Sequence, residues 1–169
     1  MSSLDRIWAG WRIPYIETTG GAAPPPGEGS LFERILTSGL SDEEARVVRR
    51  GETCSALLNA YPYNNGHLMV MPNRAAPELE DLEDDEHVEL WSMVRDATVA
   101  VKAAYHPDGV NIGVNLGRGA GAGVPDHLHV HVLPRWAGDT NFMTTVAETR
   151  VLPEPLGDTW RKLRDAWPT

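Results

Sequence analysis

The run His127-Leu128-His129-Val130-His131 places three imidazoles at every second position. In an extended strand successive side chains alternate between faces, so the three rings share one face, about 7 Å between sequence neighbours. Leu128, Val130 and Val132 then face the opposite way, into a core. Packing explains such a row poorly, because a buried imidazole has two ring nitrogens that need partners. Clustered imidazoles resist joint protonation, so at least one should stay neutral near pH 7. A neutral ring nitrogen is both a nucleophile and a metal ligand. Half of the six histidines fall within five residues, which argues against chance placement on an exposed edge.

Metal binding is the first rival chemistry, since strand histidines two apart can share an ion with a third ligand. The chain has no Cys pair and no HExxH run, and the carboxylates Asp126 and Asp139 have no diagnostic spacing. Just upstream lies Gly117-Arg118-Gly119-Ala120-Gly121-Ala122-Gly123. Glycines let backbone amides approach an anion. Alone this stretch reads as a mobile loop; beside three histidines it reads as a phosphate cradle, with Arg118 adding charge or facing solvent.

The elements that must carry these residues follow from pattern. Thr53 to Asn59 and His67 to Pro72 are short apolar runs joined through Pro62 and Asn64-Asn65-Gly66, which predicts an antiparallel hairpin. In Gly109 to Leu116, Val110, Ile112, Val114 and Leu116 alternate with Asn111, Gly113 and Asn115, a half-buried strand with one polar face. Leu79 to Tyr105 is the long helical candidate, with Val88, Trp91, Val94, Thr98 and Val101 as its apolar stripe. Its acidic start (Glu83, Asp84, Asp85, Glu86) suits the helix dipole and reads as a solvated, capped end. Ser41-Asp42-Glu43-Glu44 resembles a capping box and predicts a short helix stopping near Gly51. Leu156 to Trp167 predicts a final helix. Thr18 to Ser30, rich in Gly, Ala and Pro, reads as a connector.

Composition narrows the partners. The chain has 169 residues, 41% of them apolar, and a net charge of −9. It suits a single domain over 1–169: an N-terminal extension with the Pro/Gly-rich loop over 1–40, a core over 41–136 and a C-terminal extension over 137–169. The charge leaves no basic footprint for long nucleic acids, although local donors can still hold a small phosphate ligand. The single Cys54 excludes an intramolecular disulfide and a Cys-rich zinc site. No apolar run approaches the roughly 18 residues of a membrane span. The N-terminus, with Asp5 and Arg6 near Trp8 and Trp11, lacks an apolar signal core. A cytoplasmic, soluble protein is expected.

His127 through Leu133-Pro134-Arg135 resembles the HxHxHφφPR signature of the histidine-triad (HIT) superfamily. Leu57-Leu58-Asn59, followed after a gap by Gly66-His67-Leu68-Met69-Val70-Met71-Pro72, resembles the family's other strand pair. The resemblance covers about Cys54 to Trp136. Trp8, Trp11, Arg12, Tyr15, Tyr61-Pro62-Tyr63-Asn64 and Arg135-Trp136-Ala137-Gly138-Asp139 resemble a bacterial branch. That branch includes actinobacterial diadenosine tetraphosphate phosphorylases and lies nearer the fragile-histidine-triad hydrolases than the zinc-containing phosphoramidases.

The resemblance implies an α+β, HIT-like fold with a five-stranded antiparallel sheet, a long helix and a shorter one, usually dimerised through helix and strand surfaces. It implies that His129 attacks the α-phosphorus of a (di)nucleoside polyphosphate and forms a nucleotidyl-histidine, resolved by phosphate or water. It gives His127 and His131 the phosphate oxygens, with one of them helping to protonate the leaving nucleotide, and makes His67 a support of the triad. Asn59 would meet the ribose, Asn115 and the loop Gly121, Ala122, Gly123 and Val124 the phosphate, and apolar residues near Leu57 and Leu58 the base. Two departures stand out. Ala122-Gly123-Val124 replaces the Gly-Gln-Ser/Thr of many relatives, so phosphate contacts fall to the backbone. The zinc subgroup's Cys-x-x-Cys is missing near Leu31-Phe32-Glu33-Arg34, so neither zinc nor another cofactor is expected. Keeping His131 does not separate phosphorolysis from hydrolysis, although the branch favours a phosphorylase. A nucleotide-binding module with vestigial catalysis and a metal-dependent hydrolase are the alternatives.

Overall fold

A computed structural model describes residues 29–139 and 154–169. Trp8, Trp11, Arg12, Tyr15 and nearly all of the Pro/Gly-rich segment lie outside the described residues. Five strands form one antiparallel sheet: β1 (Val47–Arg50), β2 (Cys54–Leu58), β3 (Leu68–Pro72), β4 (Gly109–Val114) and β5 (Val130–Arg135), in the order β1-β2-β3-β5-β4. Helix α1 (Leu31–Leu36) precedes the sheet, α2 (Asp84–Tyr105) joins β3 to β4, and α3 (Leu156–Asp165) follows it.

The β2–β3 hairpin, the β4 strand and the final helix form where the patterning puts them. Gly66 turns the chain at φ +78°, and a Cβ there would meet the Tyr105 ring at 2.9 Å. Both requirements select glycine.

Register divides the sheet into two faces. On one lie Cys54, Ala56 and Leu58 of β2, Leu68 and Val70 of β3, and Val130 and Val132 of β5. They pack with Leu90, Val94, Ala97 and Val101 of α2 and with Trp160 and Leu163 of α3 as the main core. On the other, Leu57, Met69 and Met71 gather with Val47 and with Phe32 of α1 in a smaller cluster.

Four expectations need correction. The α2 stripe is partly rotated: Val94 and Val101 are buried as expected, but Val88 is 70% and Trp91 40% exposed, and Leu90, Met93, Ala97 and Ala100 complete the buried face. Alanines can approach the sheet closely, and a count of large residues overlooks them. Helix α2 starts at Asp84, after a separate 3-10 turn over Leu79–Asp81. Its acidic start is only partly solvated, because Glu86 is buried and holds Arg74 at 2.6–2.7 Å. Ser41 and Glu44 do bond reciprocally, but no helix follows. Arg46 turns at φ +59° and the chain enters β1, whose edge β2 pairs. Sheet pairing outweighs a local cap there.

Candidate active site

Strand β5 begins at Val130, so His131 lies in the ladder while His127 and His129 precede it. The alternation still extends through them. Leu128, Val130 and Val132 enter the main core, and the histidines face the other side, where Phe32 meets His127 and His129 edge-on at 5.3 and 5.2 Å. The rings of His129 and His131 lie 5.0 Å apart, as do those of His131 and His67. All four histidines are buried.

Their hydrogen bonds fix the protons. A carbonyl only accepts, so a ring nitrogen facing one carries hydrogen in the neutral imidazole. His129 Nδ1 lies 2.9 Å from the His127 carbonyl, and therefore Nδ1 is the N–H and Nε2 holds the lone pair. Among the described residues Nε2 makes no hydrogen bond. Burial holds both His129 and His127 below the ordinary histidine range, so both are neutral at pH 7.

His127 donates through Nε2 to the Pro72 carbonyl at 2.8 Å, and Nδ1 meets the Ser30 hydroxyl at 2.5 Å. Both of its ring nitrogens are therefore engaged by the protein. On the other flank the Tyr63 amide donates to His67 Nδ1 at 3.2 Å. His67 Nε2–H then donates to His131 Nδ1 at 2.9 Å, which makes His131 Nε2 an N–H donor. The Tyr63 ring covers this pair, 4.7 Å from His67 and 6.0 Å from His131.

The remaining expected residues separate by face. Leu57 lies on the histidine side with Phe32, Met69 and Met71. Leu58 does not: it is buried in the α2 core, because neighbours on a strand point oppositely, so it cannot share a base site with Leu57. Asn59 follows β2, its amide bonded to the His67 carbonyl at 3.1 Å, and its side chain accepts from the Tyr61 amide at 2.9 Å. Val114 pairs with Val130, so extending that register by one step sets Asn115 across from His129.

The glycine loop contains a 3-10 turn over Arg118–Ala120, with Gly117 and Gly121 at φ +70° and +91°. The amides of Gly121 and Ala122 are tied back to the carbonyls of Arg118 and Gly117. Those of Gly123 and Val124 make no hydrogen bond among the described residues, and Val124 packs against the Phe32 cluster.

Cys54 lies on the opposite face, and burial pushes its thiol up to about 11, which disqualifies it as a nucleophile. Among the described residues no group of three or more His, Cys, Asp or Glu side chains is placed to hold a metal ion. Sequence reasoning missed Ser30, Phe32 and the function of the Tyr63 amide. Ser30-Leu31-Phe32-Glu33 was readable as a capping box, and it does start α1. The proximity of Phe32 to the histidines arises only from the tertiary fold.

The fold and site define an antiparallel sheet presenting a neutral imidazole, with its lone pair uncommitted, between buried histidine partners. The HIT domain model matches residues 41–138. The chain is 44% identical over 165 residues to AP-4-A phosphorylase of Mycobacterium tuberculosis, covering 97% of this chain and 85% of that one. It is 36% identical over 95 residues to bis(5'-nucleosyl)-tetraphosphatase [asymmetrical] of Schizosaccharomyces pombe, covering 56% of this chain and 52% of the relative. Among solved structures it resembles a hypothetical histidine triad nucleotide-binding protein from Sulfolobus tokodaii, with a TM-score of 0.65, 28% identity and coverage of 80% and 89%. A Zn-bound histidine triad family protein from Mycobacterium smegmatis matches with a TM-score of 0.66, 26% identity and coverage of 81% and 91%. The chain belongs to the HIT family.

Proposed function

We propose that this enzyme transfers a nucleotidyl group from a diadenosine polyphosphate through a covalent histidine intermediate. The bond from His129 Nδ1–H to the His127 carbonyl carries this reading, because it commits one ring nitrogen and leaves the Nε2 lone pair for phosphorus. His129 Nε2 forms a bond to the α-phosphorus, and the bond from phosphorus to the bridging oxygen of the leaving nucleoside polyphosphate breaks. The positive charge that develops on the imidazole is met at Nδ1–H by the His127 carbonyl. His131 Nε2–H and the Gly123 and Val124 amides are the donors for the phosphate oxygens. Asn115 flanks the nucleophile, Asn59 offers its amide nitrogen to the ribose, and Leu57 supplies apolar surface for the base. Phosphate or water then attacks the phosphorus, the N–P bond breaks and the lone pair returns to Nε2.

Phosphate is the favoured acceptor, on the strength of similarity to the phosphorylase along most of the chain. Incubation with diadenosine tetraphosphate should give a nucleotidyl adduct by intact mass, mapped to His129. ADP formed only when phosphate is added supports phosphorolysis; AMP formed without it points to hydrolysis. Lack of any adduct, with turnover intact, would exclude the covalent route.

We further propose a homodimer in the cytoplasm. Val88, Trp91 and Ile112 are large, apolar and exposed. Ile112 pairs with Val132, so it shares the α2 side of the sheet with them, and among the described residues β4 ends the strand order with one edge unpaired. Such a face suits a second copy of the chain. No helix among the described residues is long and apolar enough to cross a membrane.

A further inference from the structure

His127 presents a puzzle if every triad histidine is to touch substrate, because both of its ring nitrogens are spent on the protein. The Pro72 carbonyl can only accept, so His127 Nε2 carries the proton and Nδ1 is the acceptor. The Ser30 hydroxyl must therefore donate to Nδ1. Ser30 is 2% exposed, and its Oγ also accepts from the Glu33 amide at 3.2 Å. One hydroxyl thus starts α1 and orients a triad ring.

The attachment is braced on both sides. The Ser30 amide donates to Glu33 Oε2 at 2.7 Å, and the Ala75 amide donates to Glu33 Oε1 at 2.8 Å. These two amides hold the Glu33 carboxyl below its ordinary range. The Leu128 amide donates to the Ala76 carbonyl at 2.7 Å. The segment leaving β3 therefore grips the His127 ring through Pro72, the next peptide through Ala76, and α1 through Ala75. The His127 carbonyl held in this frame is the one that accepts from His129 Nδ1–H.

We infer that Ser30 is a positioning residue for the nucleophile: its hydroxyl locks the His127 ring, and the His127 carbonyl in turn aims His129. The inference rests on the covalent reading above and assigns His127 to orientation rather than to substrate contact. A helix cap alone would need only the Ser30–Glu33 bonds, whereas the Nδ1 bond reaches across 97 residues.

The test compares Ser30→Ala, Ser30→Gly and Ser30→Thr in the full chain. Glycine keeps most of the capping preference but lacks the hydroxyl, whereas threonine keeps both. Ala and Gly should each slow adduct formation from diadenosine tetraphosphate about three- to tenfold, the scale of one lost hydrogen bond. KM should stay within about twofold, and Thr should recover most of the rate. Nitrogen-15 NMR should show the His127 Nδ1 resonance moving toward that of an unbonded ring nitrogen in Ala and Gly, but not in Thr. A wild-type rate in Ser30→Gly, or an unmoved Nδ1 resonance, overturns the assignment. Absence of an adduct in the wild-type chain removes the covalent reading instead, and the resonance then still reports on the Ser30 bond.

Discussion

His67 Nε2 and His131 Nδ1 lie 2.9 Å apart on neighbouring strands. Because the Tyr63 amide occupies His67 Nδ1, the proton between the rings belongs to His67, and His131 is left as a donor through Nε2. The Tyr63 amide, four residues upstream of His67, thus sets through His67 the tautomer of His131, the histidine proposed to hold the phosphate.

Replacing His67 with Phe should retain the ring's bulk but leave His131 Nδ1 without its donor. The His131 tautomer then mixes, and kcat should fall by roughly tenfold, the scale of a lost buried hydrogen bond. Nitrogen-15 NMR of the His131 ring checks the cause. A single Nε2–H tautomer persisting in His67→Phe contradicts the relay.

His129→Ala should lower turnover by a factor on the order of 10⁴ or more, as loss of a covalent nucleophile does. The circular dichroism spectrum should keep its native form, showing that the fold persists. Steady-state phosphate-dependent ADP release measures the effect, and turnover within tenfold of wild type would reassign the nucleophile.

Stability should depend on pH through His127 and His129. Burial lowers both folded-state values, while the unfolded chain titrates near 6.5. Below that point the unfolded state binds protons that the folded state does not, so stability falls as the pH drops. Above it, the contribution of neutral burial is fully present. Denaturant titrations between pH 7.5 and 5 should show unfolding linked to uptake of up to two protons, reduced by one in His129→Gln. A flat profile over that range refutes burial as the controlling effect.

Leu57 and Leu58 should separate binding from folding. Leu58→Ala opens the α2 core and should cost about 3 kcal/mol, with KM unchanged for the folded fraction. Leu57→Ala should raise KM for the dinucleotide. Equal KM values in the two variants would sink the assignment of Leu57 to the base.

Trp91→Glu and Ile112→Glu should each convert a dimer to a monomer in sedimentation velocity, because a charge at the centre of an apolar contact is left unpaired. Wild-type sedimentation of both variants would locate any interface elsewhere.

Much of this molecule can be read directly from residue order. Three histidines spaced two apart must share a face once the chain is extended, and the Val110–Val114 alternation needs a strand with one polar side. The hairpin turn is announced by Pro62 and Asn64-Asn65-Gly66, whose glycine takes the left-handed backbone the turn uses. These are local consequences of side-chain period and backbone sterics. The α2 burial face is less legible, because Ala97 and Ala100 reach the sheet by being small, and hydrophobic size does not register that. Leu57 and Leu58 must face oppositely once they lie on one strand, but only packing decides that Leu57 joins the histidine side and Leu58 the α2 core.

The triad's period, the glycine loop and the family resemblance required nothing beyond the order of residues. What the tertiary structure decided was proton placement. Ser30, Pro72 and Tyr63 lie 97, 55 and 68 residues from the triad histidines whose tautomers they set, directly or through His67. A neutral imidazole has two equivalent-looking nitrogens until folding delivers a carbonyl or a donor to one of them, so only in space does His129, with one ring nitrogen bonded, differ from His127, with both engaged.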